Sequence, residues 1–301
     1  TPGFGKGEKT MLKSRGEKIF NVINITIMLI LFAIFIFPYI IIISSSFSGE
    51  RALAKYGPGF FIRDFSFASY LYIFSAGSTV LRSLGVSVYI TLVTTVLSVL
   101  VNALLAYPLS RHDLFGKKIL NIYVVITMLF GGGMVPFYLL IEDLNLLNNL
   151  WSLILPVVVS AWNIILLRNY FAALPDSLEE SAKIEGAGNV RILFEIYIPL
   201  SASVIATVAL FAAVNQWNSW TTTRLFIDPN HSELYPIQYV IRNMIINMDS
   251  ISSGAGGGAS NVPQIGVQNA AIIVATLPIV CVYPFLQKYF INGTIVGAVK
   301  E

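Results

Sequence analysis

Residues 176–200 read DSLEESAKIEGAGNVRILFEIYIPL, the longest polar, helix-competent segment in the inner part of a very apolar chain. Asp176 after Pro175 is a good helix N-cap, and Glu179 three residues later completes a capping-box pattern; Ser177 with Glu180 repeats it one residue on. Glu179 and Glu180 also suit the positive end of the helix dipole. The pattern predicts a helix running to about Glu185. Gly186 then supplies the position after the cap, where positive φ is cheap. Asn189 can cap a second helix that leads into the next apolar run, with Pro199 near its entry. Leu178, Ala182 and Ile184 give the first helix a small apolar surface. A helix of about 10 residues is marginal alone in water, so it must pack on something. The residues leave two choices open: its own helical bundle, or another protein docking there.

The chain around this segment is membranous. Its 301 residues are 55% hydrophobic and 12% charged, with a mean hydropathy of +0.73. Soluble domains carry about 25% charged residues. Buried strands of a soluble fold would need short runs of about 4–8 residues, and the runs here are longer. Six spans of about 20 residues, each enough to cross a bilayer, are predicted at residues 19–43, 84–108, 119–141, 150–171, 198–220 and 266–289. The fold class is all-α and polytopic.

Orientation follows from Lys and Arg. Of the 19, five precede the first span, three follow the second, three flank the loop after the fourth and two lie at the C-terminal end, against six in the opposite set of segments. The richer side is cytoplasmic, so both termini are expected inside. Residues 1–18 form a basic tail, 19–290 the six-span unit and 291–301 a second tail. The loop at 175–197 is cytoplasmic; residues 44–83 and 221–265 lie outside, the latter with the Gly/Ser-rich run SISSGAGGGAS at 250–260. The first span is too long for a signal-peptide core, and no A-x-A-like cleavage site follows it, so it reads as a retained helix. No tandem repeat of short period stands out.

No catalytic constellation and no metal-ligand spacing appear. His112 and His231 fall on opposite sides of this topology, and Cys281, the single cysteine, lies within an apolar run as a small hydrophobe. There is no G-x-x-x-x-G-K-[ST] phosphate loop. The nearest look-alike, GKGEKT at 5–10, lacks the second glycine and reads as a basic tail that can touch anionic lipid. The near-absence of charge deep in the spans argues against a proton-driven secondary transporter. Nothing indicates nucleic-acid binding.

Polar groups inside the spans are the candidates for lining a path. Thr91, Thr94, Thr95, Ser98 and Asn102 form a stripe at helical spacing on the second span. Such a stripe lines a cavity or binds helices together. Trp162 and Asn163 fall halfway along the fourth span. Asn215, Gln216, Trp217 and Asn218 cluster near the outer end of the fifth, where amides and indoles suit sugar hydroxyls and sugar faces; tryptophans also favour membrane interfaces.

The opening segment resembles the EAA loop of membrane subunits in ATP-binding-cassette importers: E-A-A-x-x-D-G-A, about nine residues, then I-x-L-P. Here it stands as Glu180-Ser181-Ala182, Glu185-Gly186-Ala187 and Ile196-Tyr197-Ile198-Pro199. Serine replaces an alanine, glutamate replaces the aspartate, and Ser203 occupies a position where the family often has proline. Residues 131–156 and 209–220 and the closing GAVK at 297–300 look like carbohydrate permeases of the maltose-permease superfamily, in particular a subgroup handling oligosaccharides, including uronate-type and polysaccharide-derived sugars. The resemblance implies a type I importer permease fold, an oligosaccharide cargo, a second related permease chain, two cytosolic ATPase subunits that hold the ATP and magnesium, and an extracytoplasmic sugar-binding protein. It implies that Glu180, Ser181, Ala182, Glu185, Gly186 and Ala187 couple to the ATPase, with the C-terminal tail also meeting it. A permease for amino acids or peptides carries the same loop, and the loop does not separate the two; charged ligands favour compensating charges in the cavity, and few are present.

Overall fold

The computed structural model describes residues 15–75, 79–252 and 264–298. The tail through residue 14 with its look-alike, residues 253–260 of the Gly/Ser run, and the last three residues lie outside that description. α1 (Arg15–Ser46) is apolar on every face and leads through α2 (Glu50–Tyr56) and α3 (Ala68–Phe74) to α4 (Thr79–Ser110). There follow α5 (Lys117–Leu129), α6 (Met134–Asp143), α7 (Trp151–Val158), α8 (Ala161–Phe171) and the short α9 (Asp176–Ile184). α10 (Asn189–Ile192), a π turn (Leu193–Tyr197) and α11 (Ile198–Leu200) lead into α12 (Ala202–Asn218). α13 (Thr221–Phe226), a 3-10 stretch (Pro229–Leu234), α14 (Ile237–Ser252) and α15 (Gln264–Ala298) close the chain. Ser48 and Phe65 form an isolated antiparallel bridge.

α4 is the central post, packing on α7, α8, α12 and α14. Lipid is as apolar as leucine, so helices in a membrane associate through close packing and interhelical hydrogen bonds. α4 is built for both. Ser83, Ser87, Thr94, Ser98, Asn102 and Ala106 recur at helical spacing and are buried. Ser87 accepts the Ile237 N–H at 2.8 Å, pinning the start of α14. α1 is the opposite case, with none of its most apolar stretch buried.

Three helices cross by length and hydropathy alone: Ile19–Ser46, Thr79–Ser110 and Ile265–Val282. The other three predicted spans are broken. The single helix expected at 119–141 is instead α5 and α6, bent by 108°. Phe130 turns extended, and Gly133 takes φ +90°, a conformation that side-chain-bearing residues seldom adopt. The span expected at 150–171 bends by 42° between α7 and α8. The one expected at 198–220 turns by 88° at Ser201, so that α12 alone continues it. The last helix is longer than expected and runs through part of the predicted tail, to Ala298.

Three side-chain clasps tie the connecting segments together. The Tyr170 and Ser203 hydroxyls meet at 3.2 Å, and Arg111 pairs with Glu179. The Asn148 side chain donates to Asp228 Oδ2 at 2.9 Å and accepts its N–H at 2.7 Å.

Candidate functional site

α9 starts one residue earlier than a capping-box reading requires. Pro175 occupies the cap position and makes no side-chain cap bond, and Asp176 is the first helical residue. Glu179 does not reach back to the helix start. It turns inward, 5% exposed. Its carboxylate pairs with Arg111, takes Lys183 Nζ at 3.0 Å and accepts the Tyr197 hydroxyl at 3.0 Å. Three donors to a buried carboxylate outcompete a terminal N–H that water can satisfy. At the other end Gly186 takes φ +81°. Its N–H donates to the Lys183 carbonyl at 3.0 Å, and the Ala187 N–H to the Ala182 carbonyl at 2.9 Å. That pair of bonds is a Schellman cap. Ala187 joins Ala182 against the inner core, as the motif's apolar contact requires. The second helix begins at Asn189, with Gly188 in the cap position expected of Asn189.

The six loop residues therefore divide. Glu180, Ser181, Glu185 and Gly186 are exposed, Ala187 is half-buried, and Ala182 is buried among Tyr107, Phe171, Ile192 and Tyr197. Ala182 is small because its own bundle needs the space. Ile184 stands 87% exposed at the end of the helix, and Val190 and Leu178 are exposed nearby. This is an apolar surface on a polar hairpin, facing away from the bundle.

Behind α9 lies a polar knot. Arg111 donates to the Tyr107 hydroxyl at 3.2 Å and lies 5.6 Å from that ring's centroid. It also bonds Asp113, 3.3 Å away, which holds that exposed carboxyl below its usual range. Tyr107 and Phe171 each meet Tyr197 edge to face, at 5.0 and 5.5 Å. In the sequence, Arg111 carries a role in topology and Glu179 roles at the cap and in the helix dipole, and neither stands as the other's partner. Their pairing joins positions far apart in the chain, and the only local hint was the Glu179–Lys183 spacing of four.

A second feature opens at the α7–α8 break. A cleft of about 330 Å3 is lined by Thr94, Val157, Ser160, Trp162, Asn163, Phe211, Ala212 and Asn215, a volume in the range of small-molecule sites. Three of the seven path candidates, Trp162, Asn163 and Asn215, meet here. Trp162 is 56% exposed. Thr94 is buried, and its hydroxyl has no hydrogen-bond partner among the described residues. Ser160 caps α8 through the Asn163 N–H.

Asn102 stands behind the cleft. Its amide nitrogen donates to the Ser98 carbonyl at 2.6 Å, the Ser98 hydroxyl at 2.9 Å and the Val158 carbonyl at 2.8 Å. Its oxygen accepts the Ser160 N–H at 3.0 Å. It satisfies the backbone groups that the break frees, as irregular backbone at membrane depth requires. The stripe on α4 thus does both of its possible jobs: Asn102, braced by Ser98 on the same helix, binds helices, and Thr94 lines the cleft. The remaining candidates lie elsewhere. Gln216 is buried and donates to the Leu153 carbonyl, the Trp217 indole donates to the Ala275 carbonyl, and Asn218 bonds back to Val214. Ser160 and Phe211 were missed, because only the fold brings the break against α12. No group of three His, Cys, Asp or Glu able to hold a metal occurs among the described residues.

A helical membrane subunit with broken spans, a polar cleft at one of the breaks and a short anchored helix with exposed apolar residues has a form that suits transport. The chain belongs to the family described as the binding-protein-dependent transport system inner membrane component, whose pattern matches residues 99–296. It is 41% identical to Protein LplC of Bacillus subtilis over 97% of this chain and 98% of that one. It is 40% identical to the polygalacturonan/rhamnogalacturonan transport system permease protein YtcP of the same organism, over 94% and 99%. Among solved structures it resembles a chain of a bacterial ABC transporter involved in the import of the acidic polysaccharide alginate, with a TM-score of 0.82 and 29% identity over 93% of this chain and 100% of that one.

Proposed function

We propose that this chain is one of two permease subunits of an ATP-driven importer for oligosaccharides in a bacterial-type cell membrane, with both termini cytoplasmic. A second, related permease completes the path. Two ATPase subunits bind ATP and magnesium and dock on the exposed face of α9, and an extracytoplasmic sugar-binding protein delivers the cargo at the opposite end. The observation that carries the reading is the two-faced α9. It buries Glu179 and Ala182 in its own bundle while holding Ile184 out in the open. A nine-residue helix is kept folded by its inner face, so its outer face is free to be recognised.

The relatives support the cargo by their names, and the cleft supports it by its chemistry. Trp162 offers a ring face to a sugar's C–H face. Thr94, Ser160, Asn163 and Asn215 offer uncharged donors and acceptors to hydroxyls. No lining residue carries a charge, which disfavours amino acids or peptides as cargo.

The test is a crosslink from Ile184→Cys, in a chain whose Cys281 is replaced by alanine, to cysteines placed in the cognate ATPase. Ile184 is the reporter because Ala182 faces inward. A crosslink whose yield changes with ATP supports the docking. A freely reactive thiol that never reaches the ATPase in an intact assembly overturns it.

A further inference from the structure

We infer that the Arg111–Glu179 pair is the link that makes the docking helix and α4 move as one body, and that Asn102 passes this motion to the α7–α8 break lining the cleft; the inference rests on the docking role proposed for α9. The covalent route from α8 to α9 is a short turn through residues 172–175, which fixes distance but leaves angle free. The side chains remove that freedom. Glu179 lies on α9, Arg111 just past the end of α4, and Tyr197 on the π turn ahead of α12, and all three meet at one carboxylate. The site is close to dry, with side-chain exposures of 14% for Arg111 and 7% for Glu179. A buried ion pair has no water to replace a lost partner, so separating it is costly and the elements shift together.

α4 carries the motion onward as a continuous helix, with Pro108 in its last turn. From Arg111 back to Asn102 is about 14 Å at the helical rise of 1.5 Å per residue. There Asn102 grips both sides of the break, at the Val158 carbonyl and the Ser160 N–H. α8 starts directly after Ser160 and presents Trp162 and Asn163 to the cleft. Two side-chain links thus join the docking face to the cleft through one rigid element, the kind of contiguous contact that a rigid-body transition needs. Lys183 serves as an internal comparison. It also reaches Glu179, at 3.0 Å from within α9 itself; its one contact across to the segment past α4, Asp113 Oδ2 at 3.8 Å, is long and exposed, and such a pair adds little.

The experiment uses the whole importer in lipid vesicles, with Cys281 replaced by alanine. One reporter is the Ile184→Cys crosslink to the ATPase. The other is the rate at which Phe211→Cys in the cleft reacts with a water-soluble maleimide, with and without ATP plus vanadate. Arg111→Met cuts the bond to α4 but leaves Glu179 its contacts with Lys183 and Tyr197. It is expected to keep the crosslink and lose the nucleotide dependence of cleft labelling. Lys183→Met is expected to keep both. Glu179→Gln, of the same shape, serves as a second cut should Arg111→Met fail to assemble, with the same expected loss. Full nucleotide dependence in Arg111→Met or Glu179→Gln overturns the link while leaving the docking intact. Equal loss in Lys183→Met also overturns it, because the effect then follows the charge balance of α9 rather than its tie to α4. Absence of the crosslink in the unaltered pair overturns the docking reading, and the link with it.

Discussion

At the scale of single residues, the polar side chains of the spans divide into those that hold the backbone and those that face open space. Asn102 belongs to the first kind: all its capacity is spent on Ser98, Val158 and Ser160. Asn102→Ala strands a buried donor and a buried acceptor, each costing about 1–3 kcal/mol. The purified protein in detergent should therefore unfold several degrees lower, and an unchanged melting temperature would show that the break satisfies itself. Trp162 belongs to the second kind. Trp162→Ala should leave thermal stability unchanged and weaken sugar uptake, measured as a raised half-saturating concentration in vesicles. Composition alone does not separate the two kinds. Asn102 and Asn215 look equivalent in sequence, because an amide's role depends on whether a backbone break lies opposite it. That is a property of two helices together, which a single chain of letters does not display.

At the scale of elements, length and polarity were legible and direction was not. The short helix and its glycine stop could be read from residues 176–187, since capping is local chemistry. Gly186→Ala forces a side chain into left-handed backbone, costing about 1–2 kcal/mol, whereas Gly186→Asn tolerates it better. Copurification of the ATPase should fall in the order glycine, asparagine, alanine. Equal recovery of all three would mean that the cap does not shape the docking surface. The broken spans were hidden by contrast. Hydropathy averages over a window and carries no information on the axis, so residues 119–141 looked like one crossing. The three consecutive glycines at 131–133 were the visible warning. At 159–160 the signals were Pro156, a helix breaker, and a serine after a run of β-branched residues, set against continuous apolarity.

At the scale of the whole molecule, the charge asymmetry predicts a sidedness, and side-chain clasps join Arg111 to Glu179 and Asn148 to Asp228. Thiol labelling checks the sidedness. On a Cys281→Ala background, Ile184→Cys should react with an impermeant reagent only in inside-out vesicles, and Tyr56→Cys only in right-side-out ones. Labelling of both in the same preparation would refute the topology. The contrast between α4 and α1 has a further meaning. α4 has one face packed in protein, whose side chains are chosen by what they touch, while Leu92, Val96 and Leu104 stand exposed on the rest of the helix. α1 is anchored by the serines at its far end, where Ser44, Ser45 and Ser46 are buried, while the side chains from Ile19 to Phe37 face outward. α1 packs on α15, but within this chain its outward stretch is asked for length and apolarity more than for shape, and many orders of the same letters meet that demand. The chain carries two kinds of text across one bilayer: a helix written letter by letter, and a helix written only as a phase.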